Sequence, residues 1–429
     1  MKKVLIVAPH FPPSNLAGVH RSRLLSLHLQ EFGWEPVLLT VHHDHYEENL
    51  DWRLTRLVPV ALRIERVGAI PTKPIRLVGD IGIRGFLPML KRILHNAQSE
   101  RADFIYITIP SNYAALLGRP ARFLTGIPYG IDYIDPWVTP LEPLEKIGVK
   151  AWLSNWLARL LEPVAVRHVS LITGVAERYY DGVLERNPQL LDKAVLAAMP
   201  YGAAPTDHDA ARKLALAPYL FSGQPAAMRL CYAGAMLPRA FGPLETILQA
   251  ISEKSKSCEG VKFEFIGTGK RPDDPEGFNI RPLAEKYGLW GTVVREHPAR
   301  IPYLDVLTHL EASDAIFILG STEPHYTPSK VFQAVLSRRP VFAVLHEAST
   351  AVSIIRESGA GIVLTFNGDH DLSTIREGFL PAFQEFRKFC ETFDPLKVNM
   401  DGFEAYSARN MAKVLAKALD QALERVNGN

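Results

Sequence analysis

Short apolar runs alternate with helix-length segments along most of the chain. The first run, residues 4–8, is followed by a helical pattern over residues 19–32, which Gly33 ends, and by a second run at residues 36–40. Apolar runs of this length, flanked by turn residues, are typical of buried parallel strands, and the segment between them has the apolar side of a packed helix. The opening of the chain therefore predicts a strand, a helix and a second strand.

The alternation continues and then restarts. In the first half, strands are predicted at 103–110, 128–133 and 169–174, and helices at 153–165 and 175–185. Residues 206–227 consist of short polar and alanine-rich pieces with several prolines, which predicts a linker. After the linker, strands are predicted at 228–234, 261–267, 293–297, 314–320, 339–345 and 362–365, and helices at 242–252, 281–287, 303–312, 354–359 and 403–426.

This repetition predicts an α/β fold of two domains that enclose a cleft. We place the N-terminal domain at residues 1–205 and the C-terminal domain at residues 206–400, with a helical segment at 401–429. A chain of 429 residues is long enough for two such hydrophobic cores.

Composition and charge narrow the functional classes. The chain has 47% hydrophobic and 22% charged residues, which is ordinary for a soluble globular protein. Its 48 basic and 46 acidic residues leave a net charge of +2, so we expect no nucleic-acid partner, and any anion site must be local. Three scattered cysteines indicate neither a disulfide framework nor a metal cluster, and they are typical of a reducing compartment.

The N-terminus and one internal segment bear on membrane contact. The chain begins Met-Lys-Lys before a short apolar run that ends in prolines, which favours a first strand over a secretory signal. No apolar run approaches the length that crosses a bilayer. A basic amphipathic helix is predicted at Phe86–His95, which would either lie on a membrane surface or pack on the domain with a solvated basic side. We therefore expect a cytoplasmic protein, with or without contact with the inner face of the membrane.

A loop at residues 326–336 leads directly into a helix. Thr327 or Ser329 can cap this helix, Pro328 suits its first turn, and Lys330 follows. The loop comes after a predicted strand, at the edge where open parallel sheets bind ligands, and a helix N-terminus offers free N–H groups beside the lysine charge. The pattern indicates a phosphate site, although a strand-to-helix loop that binds nothing has the same residue types.

The first strand-to-helix loop lacks the Gly-x-Gly-x-x-Gly fingerprint, which argues against a nicotinamide enzyme. The helix after it begins with His20, Arg21 and Arg23, which either face a bound anion or form a solvated first turn. The histidines and the aspartate at 42–45 resemble a metal cluster. Adjacent residues of an extended segment point to opposite faces, however, so we predict a polar surface loop without a metal.

Two aspartates close the predicted strand at 128–133. Asp132 and Asp135 follow apolar residues, and a carboxylate there is costly unless it is hydrogen-bonded or faces a cleft. Asp135 precedes Pro136, so it is either a catalytic carboxylate or one that caps a turn. The chain contains no Gly-x-Ser-x-Gly elbow and no Walker phosphate loop, which excludes these two signatures of nucleophilic and phosphoryl-transfer chemistry.

Motifs from residue 11 to residue 341 resemble those of the GT-B glycosyltransferases, in particular the retaining enzymes of family 4. In the N-terminal half they are the proline-rich loop at 11–18, the Gly-Trp pair at 33–34 and the Asp-Tyr-Ile-Asp-Pro-Trp element at 132–137. In the C-terminal half they are Tyr-Ala-Gly at 232–234, Phe-Ile-Gly-Thr-Gly at 265–269, Ala-Ser-Asp-Ala at 312–315, Pro-Ser-Lys at 328–330 and Arg-Pro-Val at 339–341.

The resemblance implies two Rossmann-like, doubly wound domains, with the terminal segment 401–429 returning to the N-terminal domain. It implies transfer of a sugar, with retention of configuration, from a UDP- or GDP-sugar to a hydroxyl of a saccharide, lipid-linked or small-molecule acceptor. It implies no cofactor and no metal, because positive side chains and helix N-termini stabilise the leaving diphosphate.

The resemblance also assigns roles to residues of this chain. The catalytic candidates are Asp135, His20, Lys330 and Arg239. The donor-binding candidates are Gly234, Gly267, Gly269, Thr327, Ser329, Lys330 and Gln333. The acceptor-binding candidates are Gly18, Arg21 and Asn112.

The chain departs from the family pattern at the donor site. Family members often have two glutamates seven residues apart, whereas this chain has Tyr326 and Gln333. Gln333 can still hydrogen-bond a ribose, but without the strength of a charged acceptor. The family's Gly-Arg is Gly234-Ala235 here, with Arg239 nearby. Two alternatives therefore stay open: a catalytically impaired nucleotide-sugar-binding partner, and an epimerase or hydrolase on the same fold.

Overall fold

The computed structural model describes residues 1–74, 76, 78–139, 144–221, 228–254, 258–324 and 326–428. The chain divides into two compact units. Unit 1 comprises Met1–Gly202 and Ser407–Asn429, and unit 2 comprises Ala203–Tyr406. The terminal helix is thus part of unit 1.

Unit 1 contains a parallel sheet with helices packed against it. Its strands are β1 (Lys2–Val7), β2 (Trp34–Val41), β3 (Arg63–Val67), β4 (Phe104–Ile109), β5 (Tyr129–Tyr133), β6 (Leu171–Gly174) and β7 (Val195–Ala198). Its first helices are α1 (Val19–His28), α2 (Ile81–Arg84), α3 (Phe86–His95), α4 (Gly118–Thr125), α5 (Leu144–Val166), α6 (Asp181–Arg186) and α7 (Leu190–Lys193). The strand order is β3-β2-β1-β4-β5-β6-β7, so the direction of winding reverses between β1 and β4. The loops after these two strands therefore flank the position where such sheets bind ligands.

Unit 2 repeats the design. Its strands are β8 (Met228–Ala233), β9 (Val261–Ile266), β10 (Val294–His297), β11 (Ala315–Leu319), β12 (Val341–His346) and β13 (Gly361–Phe366). Its helices are α8 (Pro205–Lys213), α9 (Phe241–Glu253), α10 (Arg281–Lys286), α11 (Tyr303–Ala312), α12 (Lys330–Leu336), α13 (Thr350–Ser358), α14 (Leu372–Thr392) and α15 (Met400–Glu404). The last helix of the chain, α16 (Ala408–Asn427), belongs to unit 1. The strand order is β10-β9-β8-β11-β12-β13, with the reversal between β8 and β11.

The core of unit 2 depends on a helix that the sequence did not predict. Helix α14 buries Phe379, Phe383 and Phe386. The ring of Phe342 on β12 lies 5.5, 5.4 and 5.1 Å from these three rings. The two short strands β3 and β7 were also not predicted: β3 alternates charged and apolar residues, and β7 is an apolar run of only four residues.

The prediction of a linker at 206–227 was wrong in its first part. Residues 205–213 form α8, which packs on α11 of unit 2. Asp207 and His208 are buried there, and Asp207 accepts a hydrogen bond of 2.9 Å from the hydroxyl of Tyr303. These polar partners explain why the segment does not have an apolar period. Residues 222–227 lie outside the described residues.

Helix α3 has the limits predicted for a helix on a membrane surface. Its Met89 and Ile93 lie in the core of unit 1, and Leu87 is exposed. The apolar side of α3 thus packs largely on unit 1. This agrees with the alternative of a helix packed on the domain, not with that of a helix on a membrane surface. No helix in the described part of the chain is long and apolar enough to cross a bilayer.

Candidate functional site

Lys330 begins α12 at the reversal point of the unit 2 sheet, and its ammonium group is buried. Lys330 Nζ lies 3.5 Å from the ring centroid of Tyr232 and has no hydrogen-bond partner among the described residues. Burial lowers the pKa of Lys330 to about 7. A buried ammonium group without an anionic partner is unfavourable, so an anion that reached Nζ would bind strongly.

Gly234 brings the end of β8 close to this ammonium group. A Cβ atom at position 234 would lie 3.5 Å from Lys330 Nζ, and the φ angle of +118° favours glycine. The absence of a side chain leaves room beside Nζ. Gly234 and Lys330, which are far apart in sequence, are therefore neighbours in the fold, and their role in donor binding stays a prediction.

The loop before α12 is held by the start of α13. Thr327 Oγ1 lies 2.7 Å from Thr350 Oγ1, and Ser349 Oγ donates a hydrogen bond of 2.8 Å to the carbonyl oxygen of Tyr326. Ser329 occupies the N-cap position, but its side chain makes no capping hydrogen bond. The expectation that Thr327 or Ser329 caps the helix with its side chain was therefore wrong, because Thr327 is engaged with α13.

Gln333 lies one turn after Lys330 on the same side of α12. Its Oε1 is 3.0 Å from Nε2 of the buried His208, and Nδ1 of His208 is 2.6 Å from Glu311 Oε1. The residue expected to bind a ribose thus also connects α12 to α8.

Arg239 lies in the loop after β8 and is half-exposed. Its Nε is 4.0 Å from Glu323 Oε1, and its carbonyl oxygen accepts a hydrogen bond of 3.2 Å from the N–H of Thr322. The loops after β8 and β11 are joined by these contacts, which place Arg239 at the same edge of the sheet as Lys330.

The loop after β9 contains Gly267 and Gly269. A Cβ atom at Gly269 would lie 2.7 Å from that of Pro298, and the φ angle of Gly267 is +72°. The buried carboxylate of Glu296 accepts hydrogen bonds from Thr268 Oγ1 at 2.8 Å and from the first N–H groups of α10. Sequence reasoning missed Glu296, whose partners lie 15 to 28 residues away.

In unit 1, Arg21 and Asp132 form a fully buried ion pair. Arg21 Nε and Nη2 donate to the two carboxylate oxygens at 2.9 and 3.1 Å. Burial alone would lower the pKa of Arg21, but Asp132 outweighs this effect and raises it. Thr173 donates to Asp132 at 2.7 Å, and Arg21 Nη1 contacts Met411 Sδ on α16 at 3.0 Å.

These contacts change the interpretation of the first turn of α1. Arg21 and Arg23 are both fully buried, so they do not form a solvated first turn. Every nitrogen of the Arg21 guanidinium donates within unit 1, since Nη1 also donates to the carbonyl oxygens of Met199 and Pro200. Contact between Arg21 and an acceptor stays a prediction, and the geometry favours a role in positioning the sheet edge.

Asp135 lies just beyond β5 and is exposed, whereas Asp132 is buried. Although the side chain of Asp135 reaches solvent, the protein packed around it desolvates the carboxylate in part and raises its pKa to about 6. A carboxylate with this pKa is mostly ionised at neutral pH and still accepts a proton readily.

The other N-terminal candidates lie at the same edge of the unit 1 sheet. Gly18 precedes α1, and a Cβ atom there would lie 3.7 Å from Pro110 Cδ in the loop after β4. His20 Nδ1 is 3.3 Å from Arg23 Nη2. Asn112 follows β4 and is partly exposed. The loops after β1 and β4 are thus adjacent, as the strand order requires.

A second polar pair at this edge was missed. His10 Nδ1 lies 2.8 Å from Glu48 Oε1, and Ser14 Oγ donates to the same oxygen. Although burial opposes it, the hydrogen bonds from His10 and Ser14 lower the pKa of Glu48. The position of His10 directly after a strand was a usable signal, but nothing in the sequence pairs it with Glu48.

The reason given against a shared metal site at 42–45 was wrong. His43–His45 form a single 3-10 turn rather than an extended segment, and ligand atoms of His42, His43 and Asp44 lie within 4.8 Å of one another. His42 Nδ1 is 3.1 Å from the carboxylate of Asp44, and the ring of His43 packs on Trp52. These polar groups contact one another and do not by themselves define a metal site.

Residues 18–202 match the family model of the glycosyl transferase 4-like domain. A glycosyltransferase from Rickettsia africae is 13% identical, with a TM-score of 0.63 over 99% of this chain and 99% of that chain. HepE from Anabaena, solved in complex with UDP and glucose, is 14% identical, with a TM-score of 0.60 over 98% and 100%. A UDP-forming α,α-trehalose-phosphate synthase from Burkholderia xenovorans is 13% identical, with a TM-score of 0.63 over 98% and 99%. No curated protein matches the chain.

The chain has two Rossmann-like parallel sheets and shares its fold with these structures over nearly their full length. This is the GT-B fold of glycosyltransferases. The match of residues 18–202 to the glycosyl transferase 4-like domain and the shared fold agree with the resemblance noted in the sequence.

Proposed function

We propose that this chain is a glycosyltransferase that binds a nucleotide-sugar through unit 2 and transfers the sugar to an acceptor hydroxyl bound by unit 1. The observation that carries the proposal is the buried, unpartnered ammonium group of Lys330 beside Gly234. A diphosphate is the anion that this arrangement suits, because it approaches closely where a glycine lies and its charge replaces the missing partner. HepE was solved with UDP, so a UDP-sugar is the first donor to test.

In the proposed reaction, the bond between the anomeric carbon and the diphosphate oxygen breaks, and negative charge develops on the diphosphate. Lys330 and Arg239 stabilise this charge without a metal. The acceptor oxygen bonds to the anomeric carbon with retention, and Asp135 takes the proton of the acceptor hydroxyl at neutral pH. Thr327, Ser329 and the glycines after β8 and β9 surround the donor.

Calorimetry with UDP, GDP and pyrophosphate tests the donor site. Lys330→Met should weaken binding of all three ligands by about a hundredfold, because each has the diphosphate. Gln333→Ala should weaken binding of UDP and GDP but not of pyrophosphate, which has no ribose. Unchanged UDP binding by the Lys330 variant would exclude the site, and the difference between UDP and GDP identifies the base.

A nucleotide-sugar-binding protein without transfer activity is the second candidate. It is favoured by Gln333, which stands where the family has a glutamate and is hydrogen-bonded to His208. The two candidates differ in turnover. A transferase releases UDP from UDP-sugar only when a saccharide or lipid-linked acceptor is added. An epimerase or hydrolase consumes the donor without an acceptor, and a binding protein does not consume it under either condition.

A further inference from the structure

Helix α5 exposes its largest apolar side chains. After Gly148 the backbone angles stay helical, with Pro163 inside the helix. Seven large apolar residues along it are each at least 36% exposed: Val149, Trp152, Leu153, Trp156, Leu157, Leu160 and Val164. At 100° per residue, these positions fall within an arc of about 140°, so they form one continuous stripe. We refer to these seven residues as the α5 face.

The opposite side of α5 packs on unit 1 with small or polar residues. Asn155, Ala158, Glu162 and Ala165 are buried there, and the larger apolar side chains in the core are Val166 and the partly buried Leu161. Helix α5 is thus more apolar toward water than toward its own domain. A contiguous exposed patch of this kind marks an interaction surface, because apolar area left in water is unfavourable and a partner that covers it is stabilised.

Positive charge surrounds the α5 face. Lys150 and Arg159 lie at its two edges, and no acidic residue is exposed within 149–164. Glu162, the acidic residue in this stretch, is buried and paired with Arg186 at 2.8 Å. The edges of the stripe are therefore basic.

A basic cluster lies where α5 ends. Burial lowers the pKa of His168, and the positive charges of Arg167, Arg119, Arg122 and Lys193 lower it further. Arg122 at the end of α4 donates hydrogen bonds to the His168 carbonyl oxygen at 3.3 Å and to Ser170 Oγ at 2.6 Å. The next residues of α4, 123 and 124, are a phenylalanine and a leucine that are both exposed. Apolar and basic side chains thus occur together at this end of the helix as well.

We propose that the α5 face docks on an anionic lipid bilayer. The stripe enters the headgroup region, where tryptophan side chains are favoured, and the basic residues contact anionic headgroups. A second copy of the chain would bring two positively charged rims together about a twofold axis, whereas an anionic membrane complements them. The proposal moves the membrane contact from α3 to α5, and it does not depend on sugar transfer.

Vesicle flotation of the full chain tests this surface. The wild type should float with phosphatidylcholine vesicles that contain phosphatidylglycerol, and much less with phosphatidylcholine alone. The double variant Trp152→Ser, Trp156→Ser should lose at least about tenfold of its partitioning. Trp52→Ser is the matched control, because Trp52 is 56% exposed elsewhere on unit 1. Arg167→Glu with Lys193→Glu should remove the preference for anionic vesicles.

Two outcomes overturn the proposal. In the first, the wild type stays unbound with anionic vesicles, or the double tryptophan variant floats as the wild type does. In the second, neither protein binds vesicles, and light scattering shows that the wild type is a dimer and the double tryptophan variant a monomer. This result would make the α5 face an interface between two copies of the chain. Equal thermal unfolding of all variants confirms that only the surface has changed. Brominated lipid should quench the tryptophan fluorescence of the wild type and of Trp52→Ser, but not that of the double variant. This difference would locate the contact at the α5 face.

Discussion

The buried Lys330, with a pKa of about 7, should make diphosphate binding at the proposed donor site depend on pH. In the free protein the pKa of Lys330 is lowered to about 7, and a bound diphosphate would raise it by supplying an opposite charge. Binding should then take up a proton, and nucleotide affinity should fall as the pH rises above 7. Calorimetry in buffers of different ionisation enthalpy measures this uptake. Lys330→Arg, which stays charged, is the control that should bind without it, and equal proton uptake by both proteins would contradict the assignment.

Asp135 should control the acidic side of the activity profile. Its pKa of about 6 means that the carboxylate is protonated, and no longer a base, below pH 6. We expect kcat/KM to fall with decreasing pH through that value, and Asp135→Asn to lower kcat by about a hundredfold or more while removing this dependence. UDP binding by the variant should be unchanged. A variant that keeps the acidic limb would show that another group titrates there.

The pairing of α1 with β5 shows how elements in unit 1 depend on one polar contact. Arg21 on α1 is fully buried and is neutralised by Asp132 on β5. Asp132→Ala leaves the guanidinium buried without its partner, which should cost about 3–5 kcal/mol of unfolding free energy. Urea unfolding measures the loss. The double variant Arg21→Met, Asp132→Leu should lose less than Asp132→Ala alone, and an equal or larger loss would show that the ion pair itself provides the stability.

Elements were predictable where burial is continuous. Strands such as β4, buried along its whole length, form unbroken apolar runs, because helices cover both faces of a parallel sheet. The short strand β3 alternates charged and apolar residues and was missed. Helix α14 was missed although Phe379, Phe383 and Phe386 have helical spacing, because no apolar run marked it as an element.

The whole molecule consists of one continuous and one discontinuous unit. Unit 1 needs α16, which packs on α1 and buries Leu415 and Leu419, whereas unit 2 is a single stretch of chain. Deletion of residues 407–429 should therefore destabilise unit 1 and leave nucleotide binding by unit 2 within about twofold. Calorimetry should show one transition moved to lower temperature and one retained. Loss of both transitions together would show that the units unfold as one.

The sequence by itself determined the two α/β units, most of their strands and the place of Lys330 at the start of the helix after β11. These features depend on the local spacing of apolar residues and on the residues that form turns. The tertiary structure decided which charges meet. Arg21 was predicted to contact a ligand or solvent and is instead bonded to Asp132, 111 residues away, while Lys330 Nζ has no hydrogen-bond partner in the described part of the chain. It also decided that α5 turns its large apolar side chains toward solvent. Pairing and burial depend on the path of the whole chain, and a local pattern of apolar residues does not contain that path.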